Sequence, residues 1–255
     1  IAADSRQVYK GLDIGTAKLK GEFCTDIASP KKRLTVIDWK KCAEEAMVSI
    51  YQGGKIPILV GGTMFYIKAF TEGWTLPQVP PNPLLREKLE TKSAEELFKI
   101  LRKKDSARAR TIERKNKRRL IRALEIIEAL GKVPKLKQKQ KYEVLWLGVK
   151  RSQGELKKRV ERRTVLMLKQ GLINEVKKLK ASGLSWKRIF EFGFEYKYPA
   201  LYLQKKISRD DMKKALLKES LDYVRRQQVW FKKEKRIRWV SSPKNAEKFL
   251  SKFAD

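Results

Sequence analysis

Histidine is absent from all 255 residues. That excludes a histidine general base, a Ser-His-Asp triad and histidine ligation of a metal or haem. Proton transfer must fall to Asp, Glu, Lys, Tyr or water. The only cysteines are Cys24 and Cys42, too few for a disulfide framework and not in CxxC spacing. No run approaches the roughly 18 apolar residues that a membrane-spanning helix needs, and no signal peptide is visible. No GxxxxGK(S/T) phosphate loop occurs. Acidic residues are scarce, 29 against 61 Lys+Arg. The chain opens Ile1-Ala-Ala-Asp-Ser, which reads as the end of a strand entering a loop, so an N-terminal truncation is expected.

What is present is basic and foldable. The formal net charge is +32. Such an excess speaks to partners, not to fold, and its natural partner is a polyanion, nucleic acid before membrane. A lysine-rich host composition is the bland alternative. Hydrophobic residues make up 42% of the chain, enough for a real core.

The first 75 residues read as α/β. Val36, Trp39, Ala43, Met47 and Ile50 predict a helix over 35–51, ended by Gly53-Gly54. Ile56 to Val60 predicts a short buried strand, Gly61-Gly62-Thr63 a turn, and Met64 to Phe70 a further helix. Helix, strand, glycine turn, helix is the pattern of a parallel sheet, in which ligands bind at strand C-termini. Pro77, Pro80, Pro81 and Pro83 mark 76–83 as a linker or hinge. From Leu84 to Leu130 the spacing is helical and heavily charged, and Gly131 stops it. Lys132 to Lys141 reads as an exposed basic loop. Val144 to Val149 predicts a strand returning to the sheet; helices follow to about Lys232, then a last strand over Ile237 to Val240. The expected division is an α/β core over 1–75, a helical insertion over 76–142, and a return to the core with C-terminal helices over 143–255.

Four segments carry candidate chemistry. Asp4-Ser5-Arg6-Gln7, continuing to Lys18, gathers a carboxylate, a hydroxyl and cations after a strand end; a polar, well-capped loop explains it equally well. Gly61-Gly62-Thr63 offers backbone N–H groups and a helix N-terminus, which attract phosphate, though such turns are more often structural. Arg118, Arg119 and Arg122 on one helix suit phosphate, or form a solvated face. Arg225-Arg226-Gln227, followed by Val229, Trp230 and Phe231, suits base edges and stacking, or an amphipathic helix whose apolar residues are partly in the core.

Taken together, the segments are more specific. Asp4-Ser-Arg-Gln-Val-Tyr-Lys-Gly-Leu-Asp-Ile-Gly-Thr-Ala-Lys18, Ile56-Pro-Ile-Leu-Val-Gly-Gly-Thr-Met-Phe-Tyr-Ile67 and Lys115-Asn-Lys-Arg-Arg-Leu-Ile-Arg-Ala-Leu-Glu125 stand in that order. Met167-Leu168, Gly171-Leu172 and Glu175-Val176 follow, then Arg226-Gln227 with Trp230-Phe231. These five blocks resemble the signatures of tRNA dimethylallyltransferases and cover nearly the whole chain. The resemblance implies a nucleotide-binding, P-loop-type parallel α/β core with an inserted helical tRNA-grasping domain, in a cytoplasmic monomer. It implies transfer of a dimethylallyl group from dimethylallyl diphosphate to N6 of adenosine 37, in the tRNA anticodon stem-loop, with Mg²⁺ as cofactor. Carried over by position, Asp4 matches the general base and also contacts the target nucleotide with Ser5, Arg6 and Gln7. Thr63 matches a catalytic residue at the transfer channel, and Gly61 to Thr63 a diphosphate site. Arg86, the segment Asn116, Lys117, Arg118, Arg119 and Leu120, and Arg225, Arg226 and Gln227 match tRNA contacts.

The departures are specific too. The family's Gly-rich loop, which holds diphosphate and Mg²⁺, is absent, so no protein ligand of the metal is assigned. The His-His segment before the first helix is replaced by Glu22-Phe-Cys-Thr-Asp26, and Met64 stands where the family has glycine. A Gly-Tyr-Arg segment becomes Gly193-Phe-Glu-Tyr-Lys197, with Arg188 or Lys197 as the replacement charge. The rival readings are a non-catalytic tRNA-binding relative and, more weakly, a P-loop nucleotide kinase or NTPase.

Overall fold

The computed structural model describes residues 1–254. The chain enters in extended conformation and pairs at once with residues 58–60. The Ile1 amino group donates to Ile58 O at 2.8 Å, and Val60 N–H to Ile1 O at 2.9 Å. Ala3 N–H then donates to Val60 O at 2.8 Å, and Ala2 and Val60 form a parallel bridge. Helix α1 (Val36–Gln52) lies between these two segments in sequence. Thr35 begins it with a capping box to Asp38, satisfying two of the orphan donors at a helix start. Gly53 closes it with φ −80, and Gly54 takes the left-handed turn at φ 67. The helix buries Trp39, Ala43, Ala46 and Met47. Trp39 anchors this core: its Nε1 donates to Ala2 O at 2.8 Å, and its ring stacks on Tyr66 at 4.6 Å. Tyr66 belongs to α2 (Met64–Thr71).

The Ile56–Val60 segment departs from expectation. It is extended, but only one face is covered. Leu59 packs on the core, while Ile56, Ile58 and Val60 are 67%, 65% and 57% exposed. Alternation along an extended chain puts these three on one side, and nothing among the described residues covers that side.

Two compact units follow from the packing: Ile1–Glu72 together with the chain from Gln140 onward, and Gly73–Lys139. The second unit contains β1 (Trp74–Thr75), α3 (Pro83–Glu90), α4 (Ala94–Lys104), α5 (Ser106–Thr111), α6 (Lys117–Leu130) and β2 (Lys137–Gln138). Its core gathers Leu97, Leu101, Leu120, Leu124 and Ile127. Gly131 ends α6 at φ 77, donating to Ile127 O at 2.8 Å. The basic stretch 132–141 is exposed but not wholly loop, because β2 pairs antiparallel with β1. Nor is the proline-rich stretch a free hinge. Val79 O accepts from Arg122, and Asn82 N–H donates to Glu125.

The first unit resumes with β3 (Leu147–Val149), α7 (Gln153–Lys169), α8 (Leu172–Ala181), α9 (Trp186–Phe190), α10 (Phe194–Leu203), α11 (Arg209–Lys232), β4 (Arg238–Val240) and α12 (Pro243–Ala254). Strands β3 and β4 pair in parallel, Leu147 opposite Arg238 and Val149 opposite Val240. Gly148 is required there, because a Cβ would lie 2.6 Å from Ile237 Cγ2. The expected return strand is thus shorter than 144–149; Trp146 instead packs with Met64 and Ile237. The fold is mixed helix with small parallel pairings. Among the described residues no helix is long and apolar enough to cross a membrane.

Candidate active site

Asp4 follows the first pairing segment, and its own turn fixes it. Its Oδ1 accepts from Arg6 N–H at 2.7 Å and from Gln7 N–H at 3.3 Å. An aspartate that bonds the backbone two and three residues on is a self-made turn. The Gly61–Thr63 turn docks against it. Thr63 N–H donates to Ala3 O at 3.2 Å, and the Thr63 hydroxyl accepts from Ser5 N–H at 3.2 Å. Both glycines are sites of close approach. A Cβ on Gly61 would stand 2.2 Å from Ala3 O, and one on Gly62 would stand 2.0 Å from Gln227 Nε2. Gln227, on α11, donates to Gly62 O at 3.4 Å. The loop carrying Asp4 and Ser5, the Gly61–Thr63 turn and Gln227, three segments far apart in sequence, therefore meet. The turn's N–H groups are less free than its sequence implies, since Thr63 N–H is spent on Ala3 and Met64 N–H on Gly62 O.

The neighbouring loop is held from below. Glu175, buried on α8, accepts from the N–H groups of Asp13, Ile14 and Gly15 at 3.1, 2.7 and 3.1 Å, and from Tyr196 OH at 2.9 Å. Four donors on one carboxylate leave it fully satisfied. The loop so fixed presents Thr16 O to Gln7 Nε2 at 3.2 Å and Gly15 O to Arg163 of α7 at 3.2 Å. Glu195, at the start of α10, joins this group. Burial pushes its carboxyl up to about 7, while Arg163 and Arg6 pull it down and Asp4 pushes it up. Tyr223 of α11 also borders Asp4. Burial, then the charges of Asp4 and Glu195, raise its hydroxyl, against Arg6 and a hydrogen bond with Gln227.

Glu195, Arg163 and Tyr223 were not singled out as site residues from sequence. Glu195 was within reach of sequence reasoning: it stands two residues after Gly193, in a segment noted only for its missing arginine. Neither proposed replacement charge joins the cluster by any hydrogen bond or ion pair. Arg188 donates to Pro30 O at 2.8 Å and Lys32 O at 2.6 Å, pairs with Glu191, and lies 4.5 Å over the Phe192 ring. Lys197 sits over Tyr198.

Arg225 and Arg226 flank Gln227 on α11. Arg225 is exposed and pairs with Asp222 at 2.9 Å, and Arg226 lies over the Tyr223 ring at 5.9 Å. Trp230 and Val229 are 46% and 53% exposed, so they are less buried than an amphipathic core helix requires.

In the second unit, Asn116 caps α6, accepting from Arg119 N–H at 3.2 Å. Lys117 reaches Glu90 O, and Arg119 pairs with Glu113 at 3.2 Å. Arg118 is exposed and has no ion-pair partner among the described residues. Two expected contact residues have structural roles in this unit. Leu120 is wholly buried in the unit's core, so its side chain anchors the arginines beside it and does not itself reach a ligand. Arg86 is held by both oxygens of Glu125, at 2.8 and 2.9 Å, which makes it first a structural ion pair.

The fit to Mg²⁺ is poor. Among the described residues no three His, Cys, Asp or Glu side chains cluster as ligands. Asp4 Oδ1 is already bonded to two N–H groups. These residues form no protein cage for the ion.

Comparison with known proteins agrees with this arrangement of segments. The family model described as IPP transferase matches residues 7–234. The tRNA dimethylallyltransferase 1 of Syntrophus aciditrophicus is 36% identical, over 94% of this chain and 84% of its own length. The full-length tRNA isopentenylpyrophosphate transferase of Bacillus halodurans superposes with a TM-score of 0.69 at 29% identity, covering 99% of this chain and 86% of that one. A eukaryotic dimethylallyltransferase acting on tRNA shares the fold, with a TM-score of 0.76 at 22% identity over 94% of this chain and 66% of that one. The chain belongs to the IPP transferase family.

Proposed function

We propose that the protein transfers a dimethylallyl group from dimethylallyl diphosphate to N6 of adenosine 37 in the tRNA anticodon stem-loop. Membership of a family whose relatives are tRNA dimethylallyltransferases supports this. The observation that carries it in this chain is the docking of the loop that carries Asp4 and Ser5 against the Gly61–Thr63 turn, which Gln227 of α11 also meets.

The reaction sets what these residues must do. The N6 lone pair is delocalised into the purine, so the amine attacks weakly unless a carboxylate takes its proton. Asp4 is that base. As the N6–C1 bond forms, the C1–O bond breaks and diphosphate leaves with the electron pair. Arg6, in the turn that Asp4 makes, supplies a cation there, as growing negative charge requires. Ser5, Arg6, Gln7 and Gln227 hold the target nucleotide after it leaves its stack. Gly61 to Thr63 line the path of the diphosphate, with Thr63 at the point of transfer. Arg118 and Arg119 of the second unit, with Arg225 and Arg226, bind tRNA phosphates. The parallel pairings belong to a P-loop-type sheet, and the enzyme acts as a cytoplasmic monomer.

The test uses the protein as translated from its gene, labelled dimethylallyl diphosphate, and two anticodon stem-loops differing only in adenosine or guanosine at position 37. Label in the adenosine loop alone supports the proposal. Label in neither, with both bound tightly, overturns it.

A further inference from the structure

Helix α11 meets α2 along one stripe. Gln227, Phe231 and Glu234 stand at i, i+4 and i+7, the spacing of one helix face, and each meets a different level of α2. Gln227 Nε2 donates to Gly62 O, just before α2, at 3.4 Å. Phe231 joins the cluster of Met64, Ile67, Trp146 and Ile237. Glu234, just past the end of α11, pairs with Lys68 at 3.1 Å. Its carboxylate also takes a fork from Arg236, from Nε at 2.7 Å and from Nη2 at 2.9 Å. Arg236 reaches on to Glu72, the residue that closes α2, and Lys68 pairs with Glu72 at 3.3 Å. The Arg236 guanidinium lies 4.7 Å over the Trp146 ring. Two carboxylates and two cations thus join the far ends of both helices, and the side chains of Glu234 and Glu72 are only 9% and 13% exposed. The bonds from Arg236, then from Lys68, outweigh burial and hold the Glu234 carboxyl at about 2.

We propose that Glu234 is a positioning residue of the transfer site: with Lys68 and Arg236 it locks the end of α11 to the end of α2 and so holds the Gln227 amide on the Gly61–Thr63 turn. This rests on the proposed function, in which Gln227 holds the target nucleotide. The amide bond at the site is the weak point of the stripe. At 3.4 Å it is a long bond between neutral groups, and such a bond contributes little by itself. The ion cluster is the strong point. Isolated surface pairs contribute little, but here each cation bridges both carboxylates, and the Arg236 fork on Glu234 fixes direction as well as distance. The Phe231 layer between the two carries the constraint up the helix to Gln227.

The experiment is single-turnover transfer at saturating adenosine stem-loop by the native protein, Glu234→Gln, Gln227→Ala and the double variant, with melting temperature read for each. Glu234→Gln should lower the rate about tenfold, a fraction of the cost of displacing a reacting group. Gln227→Ala should lower it at least as much, and the double variant no further than Gln227→Ala alone, because one loss acts through the other. A carboxylate that merely stabilised the fold would give losses that multiply. Lys68→Gln cuts the same link from the α2 side and carries the test if Glu234→Gln unfolds; its smaller loss should also vanish in the Gln227→Ala background. Losses that multiply, or a native rate in both Glu234→Gln and Lys68→Gln, overturn the positioning role while leaving the proposed function standing. A native protein that transfers no label, or a native rate in Gln227→Ala, instead overturns the reading on which that role rests.

Discussion

At the scale of single residues, the site depends on two places where a side chain has no room. Gly61 faces backbone: a Cβ would lie 2.2 Å from Ala3 O. Gly62 faces the end of a flexible side chain, Gln227 Nε2 at 2.0 Å. The first substitution must move the loop that carries Asp4, and the second need only swing an amide aside. Gly61→Ala should therefore lower single-turnover transfer about 100-fold, the cost of misplacing a catalytic group by an ångström or so. Gly62→Ala should lower it much less. Equal losses in the two variants would contradict this geometry. Sequence made Asp4 and Gly61 to Thr63 readable because each sits in a short local pattern. Glu195 and Tyr223 come near Asp4 from α10 and α11, and Arg163 comes near Glu195 from α7, and no spacing along the chain announces such a meeting.

At the scale of elements, Glu125 ties α6 to α3 and to the proline-rich stretch. It is 1% exposed and accepts from Asn82 N–H, Arg86 and Arg122. Burial works against its ionisation, but those hydrogen bonds outweigh it and hold the carboxyl below its usual value. The stabilisation is therefore complete above the ordinary glutamate range and is lost as pH falls through the lowered value. Glu125→Gln should destabilise the second unit by about 2–4 kcal/mol at neutral pH, less than for a fully buried pair because both arginines are partly solvated. It should also remove that portion of the acid sensitivity. Hydrogen exchange in α3 and α6 reads both effects, and unchanged protection would contradict them. Sequence placed α1, α2, α6 and the Ile237–Val240 strand well, because periodicity and caps are local signals. It misjudged Ile56 to Val60: an apolar run records that a segment is extended and hydrophobic, not how many of its faces are covered. The clamp on 76–83 was equally hidden, since prolines mark a break in regular structure whether or not the segment is pinned.

At the scale of the whole molecule, the net charge of +32 is the property that sequence stated most plainly. It makes binding to RNA steeply dependent on salt. Arg118→Ala should weaken stem-loop binding and lower the slope of log affinity against log salt by about 1, as expected for the loss of one phosphate contact. Arg86→Ala, whose guanidinium is held by Glu125, should change the slope less than Arg118→Ala does. The opposite ranking would reassign the phosphate contacts.

The central claim is that Asp4 takes the proton from N6 as the dimethylallyl group is transferred. Its most direct test is single-turnover transfer by Asp4→Asn beside the native protein, with stem-loop affinity measured for both. The predicted result is a loss of about 10²–10⁴-fold in rate, the range for removal of a general base, with affinity preserved. Native rates from Asp4→Asn would contradict the account.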